Sequence, residues 1–349
     1  MPLTVHTDKL IGHEMVAELA QVEARFAAEL VSELDCVNQL VTHLEHYRGK
    51  MFRPMMVLAT CMAVGPNETG PGAISETHRG IATVVEMVHM ATLVHDDILD
   101  EAEIRRRGVT INSLSGNETA VILGDYLISH AYHLCSSLGE PWIAQRIAAT
   151  TNTICEGELL QLANRNNWNL DEQTYFEIIR RKTASLCGAC CDIAAQLCRV
   201  SSELVDQMNL FGEQLGIAFQ IVDDVLDLIG DQDTVGKTLG RDLQKGKLTL
   251  PLIHFLETSP ISKRDQFLAL LDSISRTDNS PVKDTAVKGI LDASKEIKTL
   301  VAASEAIEYS RNCAQRLIDS AMQCLEPLPQ TTAKEMMQNM ASAVINRQS

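Results

Sequence analysis

The sequence predicts an all-α fold, and three observations carry that prediction. Apolar residues recur at spacings of three and four along most of the chain, the period of a helix with one buried face. Ala, Leu, Ile and Met dominate an apolar fraction of 45%, while aromatics make up only 4%, a composition of good helix formers. No stretch alternates apolar and polar residues for more than a few positions, as a half-buried strand would. No linker typical of a domain boundary divides the 349 residues, so a single domain, 1–349, is expected, large for one core.

The elements follow in order. Residues 8–45 read as amphipathic helices, with Val16, Leu19, Ala20, Val22 and Phe26 as one apolar stripe. Arg48-Gly49-Lys50-Met51-Phe52-Arg53-Pro54 is a basic turn, and Pro54 suits the first turn of a helix over Met55–Val64. Two cations beside a helix start are tolerated when an anion sits between them and the helix N-terminus; an ordinary basic turn is the other reading. Gly65–Ser75 is a loop, and 76–101 a long helix. Asn112–Gly116 is a turn, Gly124–Leu138 and Trp142–Leu162 are helical, and Asn164–Asn169 is a polar break. Tyr175–Leu197 is helical and carries Arg181-Lys182-Thr183. There Lys182 either snorkels from the helix edge or aims its charge into a cavity. Leu204–Ile229 is helical, followed by a Gly- and Lys-rich loop through Lys247, and Pro251 starts the next helix. The rest is helical, with a polar interruption at Ser275–Val282.

Two of these helices end in the same pattern, Asp96-Asp97-x-x-Asp100 and Asp223-Asp224-x-x-Asp227. Positions i and i+4 share a helix face, so Asp96 aligns with Asp100 and Asp223 with Asp227. Asp97 and Asp224 lie about 100° around the axis. Clustered carboxylates repel, and building them twice at the ends of apolar helices calls for a compensating cation. An all-oxygen donor set suits a hard divalent ion, Mg²⁺ above all if a substrate supplies phosphate oxygens. Basic residues follow each motif, at Arg105-Arg106-Arg107 and between Lys237 and Lys247. The second loop lacks the Gly-x-x-x-x-Gly-Lys-[Ser/Thr] spacing of a Walker loop but is able to fold over a phosphate.

Composition excludes other classes. A net charge of −16 argues against nucleic acid as partner. Ten cysteines lack paired spacing; Cys187-x-x-Cys190-Cys191 reads as small packing residues rather than a zinc site, and His130-x-x-His133 as a helix surface or core pair rather than a metal site. Free thiols, no basic head followed by an apolar run at the N-terminus, and no apolar run of about 18 residues point to a reducing, cytoplasmic setting.

These residues, in this order, resemble the trans-polyprenyl diphosphate synthases, the head-to-tail isoprenoid elongation enzymes, over about Arg48–Pro251. Asp96-Asp97-x-x-Asp100 with Arg105-Arg106 is similar to the family's first aspartate-rich motif, and Phe219-Gln220-x-x-Asp223-Asp224-x-x-Asp227 to its second. Gly49-Lys50-x-x-Arg53-Pro54 resembles its Gly-Lys-Arg-x-Arg-Pro element, with Met51 where an Arg is frequent. The register of Arg105–Arg107 departs by a residue from the usual spacing to glycine.

The resemblance implies an isoprenoid synthase-type bundle of antiparallel helices around a deep central cavity, usually a homodimer. It implies that two or three Mg²⁺ ions, held by Asp96, Asp97, Asp100, Asp223, Asp224 and Asp227, bind an allylic diphosphate, farnesyl or geranylgeranyl. Arg105, Lys182 and Lys237 would contact that diphosphate. Lys50, Arg53, His89 and Arg106 would hold isopentenyl diphosphate. Thr183 and Gln220 would line the reacting region, and Lys247 would help close it. Ala91 and Thr92, about one turn before the first motif, would line the shaft taken by the growing chain. Their small size implies a product of about six to ten isoprene units, whose hydrophobicity allows at most transient membrane contact. A class I terpene cyclase or head-to-head enzyme would not need Lys50, Arg53 and Arg106. A non-catalytic subunit of a heteromeric synthase would not need both triads. A purely structural bundle would need neither.

Overall fold

The computed structural model describes residues 7–47, 49–65, 74–105, 108–229, 241–277 and 283–347. Helix α1 spans Thr7–Glu29 and breaks at Gly12. Its buried stripe is Met15, Val22 and Phe26, and Leu30 just past its end is buried too. Val16 and Ala20, expected in the stripe, face outward, because Met15 and not Val16 continues the helical series back from Val22. After α2, Asp35–His43, and a 3₁₀ turn, Leu44–Tyr47, comes α3, Phe52–Val64. It begins three residues earlier than expected, with Pro54 in its first turn and every residue from Pro54 to Val64 buried. A helix buried on all sides reads as continuously apolar, as this one does.

Helix α4, Glu76–Leu99, starts with a capping box in which Ser75 and His78 satisfy each other's backbone N–H groups. Its end is covered by a two-stranded antiparallel hairpin, Ile104–Arg105 with Gly108–Val109, too short to leave an alternating signal. The expected turn at Asn112–Gly116 is a short helix, α5, Ile111–Ser115, capped by the Thr110 hydroxyl and stopped at Gly116. Then follow α6, Asn117–Ser137, and α7, Pro141–Ala163.

The stretch expected as one helix over Tyr175–Leu197 is three pieces: α8, Glu172–Ile179, a π-turn, Arg180–Ala184, and α9, Ser185–Leu197. Helix α10 is Ser202–Ile229, α11 is Arg241–Gln244, α12 is Leu250–Thr258, α13 is Ile261–Thr277, α14 is Lys283–Ala302, α15 is Ala306–Cys324 and α16 is Thr332–Ile345. Of the polar interruption expected at Ser275–Val282, Ser275–Thr277 still belong to α13, and residues 278–282 lie outside the described residues.

The chain sorts into two compact units, and no boundary between them falls in a Pro- or Gly-rich stretch. The first comprises Met1–Ile154, Ala184–Glu213 and Ser320–Ala341. Within it α4 packs on α1, α3, α6 and α9, so the first acidic motif ends a helix surrounded by others. The second comprises Cys155–Thr183, Gln214–Asp319 and Ser342–Ser349. There α8 packs on α12, and α14 on α11, α12 and α13. The His254 ring stacks on Tyr309 at 3.8 Å, and the Tyr309 hydroxyl donates to Glu172 at 2.8 Å. No helix among the described residues is long and apolar enough to cross a membrane.

Candidate active site

The first acidic motif occupies the last turn of α4. Asp96 and Asp100 are half-buried, while Asp97 is fully buried. Arg105 on the hairpin reaches back to Asp97: its Nε donates to Oδ1 at 2.9 Å and Nη2 lies 2.7 Å from the same oxygen. The Asn112 side-chain amide donates to the Ala102 carbonyl at 3.1 Å, and the Thr110 hydroxyl donates to that carbonyl at 2.6 Å. Tyr47 closes the cluster: its hydroxyl accepts the Ile111 N–H at 3.0 Å, and burial first, then the Asp97 charge, pushes its pKa up. A carboxylate without solvent must be paired in this way, since an unpaired buried charge is very costly.

The second motif repeats the division at the end of α10. Asp223 and Asp227 are half-buried and Asp224 is buried. The Tyr175 hydroxyl donates to Asp224 Oδ2 at 2.6 Å, and the Gln220 amide donates to Oδ1 at 2.8 Å. Gln220 in turn accepts the Thr183 hydroxyl at 3.0 Å, so a chain Thr183–Gln220–Asp224–Tyr175 fixes the amide's orientation. Asp227 accepts the Asp242 N–H at 3.3 Å. The middle aspartates, Asp97 and Asp224, were expected among the metal ligands. The structure turns both inward and commits their oxygens to protein donors, because a side chain about 100° from the i, i+4 face points at the neighbouring elements.

Lys182 and Thr183 sit in the π-turn, whose extra residue re-aims the side chains that follow. Gly157 on α7 makes room for it: a Cβ there would lie 2.6 Å from the Lys182 amide nitrogen. Lys182 pairs with Glu158, one residue along. Glu177 accepts from Arg180 at 2.9 Å and also from Arg181, and the Arg180 bond leads in drawing its carboxyl down to about 2.

The basic residues divide by surroundings. Lys50 is exposed, and Arg53, in the first turn of α3, is half-buried. The Arg53 Nε is buried with no hydrogen-bond partner among the described residues. Met51 adopts a left-handed conformation, φ 52°, and its side chain is buried near Phe26, Glu86 and Met90. It is a packing residue there. His89 is half-buried on α4, about two turns before the motif, and its carbonyl accepts the Thr92 hydroxyl at 2.7 Å. Ala91 is fully buried and Thr92 half-buried.

Lys247 is half-buried and held through its backbone, its N–H donating to Asp242 at 2.8 Å. The preceding Gly246 has φ +68°, and its carbonyl accepts the Asn166 N–H at 2.8 Å. A Cβ at Gly246 would meet the Asn166 side chain at 2.2 Å, so glycine is required for that approach. Arg106 and Lys237 lie outside the described residues.

Arg347, which no motif in the sequence marks, also reaches the second acidic helix end. Its guanidinium stacks over Phe219 at 4.3 Å and pairs with Asp223 at 2.9 Å. A cation thus already rests on one of the two outward aspartates of α10. Asp96 with Asp100, and Asp223 with Asp227, offer paired oxygen donors of the kind Mg²⁺ takes alongside water and phosphate, so these residues fit the ion.

An all-α protein with two acidic helix ends of this design, and a Lys-Thr π-turn beside the second, has the makings of an isoprenoid synthase. The family model for Polyprenyl synthetase matches residues 35–290, and the chain belongs to that family. It is 31% identical over 336 residues to the octaprenyl diphosphate synthase of Escherichia coli (strain K12), covering 96% of this chain and 98% of that one. It is also 31% identical over 325 residues to heptaprenyl diphosphate synthase component 2 of Geobacillus stearothermophilus, covering 93% and 94%. Among solved structures, the polyprenyl synthase from Caulobacter crescentus CB15, complexed with calcium and isoprenyl diphosphate, superposes with a TM-score of 0.87 at 28% identity over 98% of both chains. The all-α isoprenoid synthase fold expected from the sequence is therefore the fold it has.

Proposed function

We propose that this trans-prenyltransferase condenses isopentenyl diphosphate head-to-tail with an allylic diphosphate, farnesyl or geranylgeranyl, to build an all-trans polyprenyl diphosphate of about six to ten isoprene units. The observation that carries the reading is the division repeated at both helix ends. The middle aspartate is buried and hydrogen-bonded, and the outer two stand half-exposed on one face. Asp96, Asp100, Asp223 and Asp227 would hold two or three Mg²⁺ ions, while Asp97 and Asp224 brace the helix ends.

Bound Mg²⁺ supplies Lewis-acid neutralisation of the diphosphate as negative charge develops on it. Arg105, Lys182 and Lys237 add fixed positive charge on the same group, and preorganised donors of this kind are each worth on the order of 10²–10³ in rate. The allylic C–O bond breaks with its electron pair leaving on the diphosphate. Lys50, Arg53, His89 and Arg106 hold isopentenyl diphosphate so that its double bond attacks the allylic cation, and the departing diphosphate takes the proton lost in the last step. The unpartnered Arg53 Nε supports an anion at that place. Thr183 and Gln220, locked by their hydrogen bonds, face the reacting carbons, and Lys247 helps exclude water. The enzyme works as a cytoplasmic homodimer, touching membrane only through its product.

One observation favours a second reading: a relative of 31% identity is named a component of a heptaprenyl synthase, which points to a heteromer. The test is labelled isopentenyl diphosphate with farnesyl diphosphate and Mg²⁺, the products sized after dephosphorylation. A ladder ending in a long prenol from this chain alone is expected. No incorporation would overturn the proposal. Consumption of farnesyl diphosphate alone would move the weight to a cyclase, and incorporation restored only by a partner subunit would move it to a heteromer.

A further inference from the structure

Three ligand-bearing side chains outside the acidic motifs converge in the first unit. Cys61 lies on α3, His78 in the first turn of α4, and Cys198 caps the end of α9. Their ligand atoms all lie within 4.8 Å of one another. We propose that they form a structural site for a thiophilic divalent cation, zinc above all.

The spacing supports it. In a tetrahedral zinc site with Zn–S near 2.3 Å and Zn–N of about 2.0–2.1 Å, the S···N edge is about 3.5–3.6 Å. Cys198 Sγ and His78 Nε2 are 3.6 Å apart. The other imidazole nitrogen, Nδ1, lies 2.7 Å from the Ser75 hydroxyl, the outer partner that fixes a metal-ligating histidine. With zinc bound at Nε2, the imidazole proton moves to Nδ1 and is donated to Ser75 Oγ, so Nδ1 gives up the Ser75 N–H that it accepts at 3.3 Å in the metal-free capping box, while Ser75 Oγ still accepts the His78 N–H. The three helices that supply the ligands pack against one another in pairs, so the ligands are held by rigid elements.

Charge supports it as well. Two thiolates, a neutral imidazole and Zn²⁺ sum to zero, which a buried place tolerates. Cys61 and His78 are buried, while Cys198 is half-buried and leaves a side for water as fourth ligand. Thiolate donors select zinc over Mg²⁺, so this site and the acidic motifs do not compete for one ion. Its work would be mechanical: it ties the start of α4, the helix that ends in Asp96, to α3 and α9.

The test uses the full chain, stripped with a chelator. One equivalent of Co²⁺ should give thiolate-to-cobalt charge-transfer and tetrahedral d–d bands that Zn²⁺ abolishes, and Zn²⁺ should raise the melting temperature. The Cys61→Ser/Cys198→Ser variant should bind zinc at least about 100-fold more weakly, and Ser75→Ala, which keeps all three ligands, about 10-fold more weakly. Absence of the cobalt bands in the wild-type chain would overturn the site. So would bands that persist in the double-serine variant, or a wild-type thiol titration two short of the ten cysteines, which would mean a disulfide in place of a metal site.

Discussion

Asp97 and Asp224 are the least exposed members of their triads, and their burial sets what each substitution should do. Replacing Asp97 with Ala strands the Arg105 guanidinium beside a buried gap. Breaking a buried pair in this way costs about 3 kcal/mol, to be read as a lower urea midpoint at unchanged slope. Thr183→Val removes the hydroxyl that holds the Gln220 amide in one orientation. A lost hydrogen bond of about 1 kcal/mol should lower kcat/KM roughly five- to tenfold with the melting temperature nearly unchanged; an equal loss of stability would make Thr183 merely structural. The pairing of Asp96 with Asp100 was legible in the sequence, because helical periodicity alone puts i and i+4 on one face. The inward turn of Asp97 was not, because the partner that makes burial bearable, Arg105, comes from a hairpin of two-residue strands that leave no periodic signal.

At the scale of elements, the π-turn at Arg180–Ala184 is the feature that places Lys182 and Thr183, and it depends on a neighbour. Gly157→Ala would drive a methyl into the Lys182 backbone. The turn should shift, and kcat/KM should fall by at least about tenfold while helix content is kept, since small misplacements of reacting groups are costly. The same turn carries a pH signature. Glu177 has a folded value of about 2 against an ordinary 4.5, so its pairing with Arg180 and Arg181 contributes stability above pH 4.5 and loses it as pH falls towards 2. Glu177 is about a third exposed, so the effect is on the order of 0.5 kcal/mol. Urea midpoints of the wild type should drop slightly more between pH 5 and 3 than those of Glu177→Gln. Helices were legible wherever their apolar period was unbroken, as for α7. The π-turn was hidden because an inserted residue changes phase without changing composition. The Cys61, His78 and Cys198 cluster was hidden because its ligands lie as much as 137 residues apart.

For the whole molecule, product length and metal handling are the properties to measure. Ala91 and Thr92 looked equivalent as shaft residues in the sequence, but the structure separates them. Ala91 is fully buried, so a phenylalanine there overpacks the core at about 1–3 kcal/mol, whereas half-buried Thr92 has room to change. Thr92→Phe should therefore shorten the longest prenol in the ladder with the fold intact, and unchanged lengths would sink the shaft proposal. The fold class, the family and both acidic helix ends could be read from the chain because they depend on local periodicity and spacing. The two compact units could not, since no boundary falls in a breaker-rich stretch. The outer aspartates are proposed to handle the metal and the middle ones to hold the fold. The most direct measurement is the Mg²⁺ dependence of isopentenyl diphosphate incorporation, with urea stability alongside, for the wild type, Asp96→Asn, Asp223→Asn and Asp97→Asn. Asp96→Asn and Asp223→Asn should lose about 10²–10³ in kcat, need more Mg²⁺ and keep their stability. Asp97→Asn should lose stability and keep its Mg²⁺ requirement. An Asp97→Asn chain as stable as wild type but with a raised Mg²⁺ requirement, beside an unaffected Asp96→Asn, would contradict the proposal.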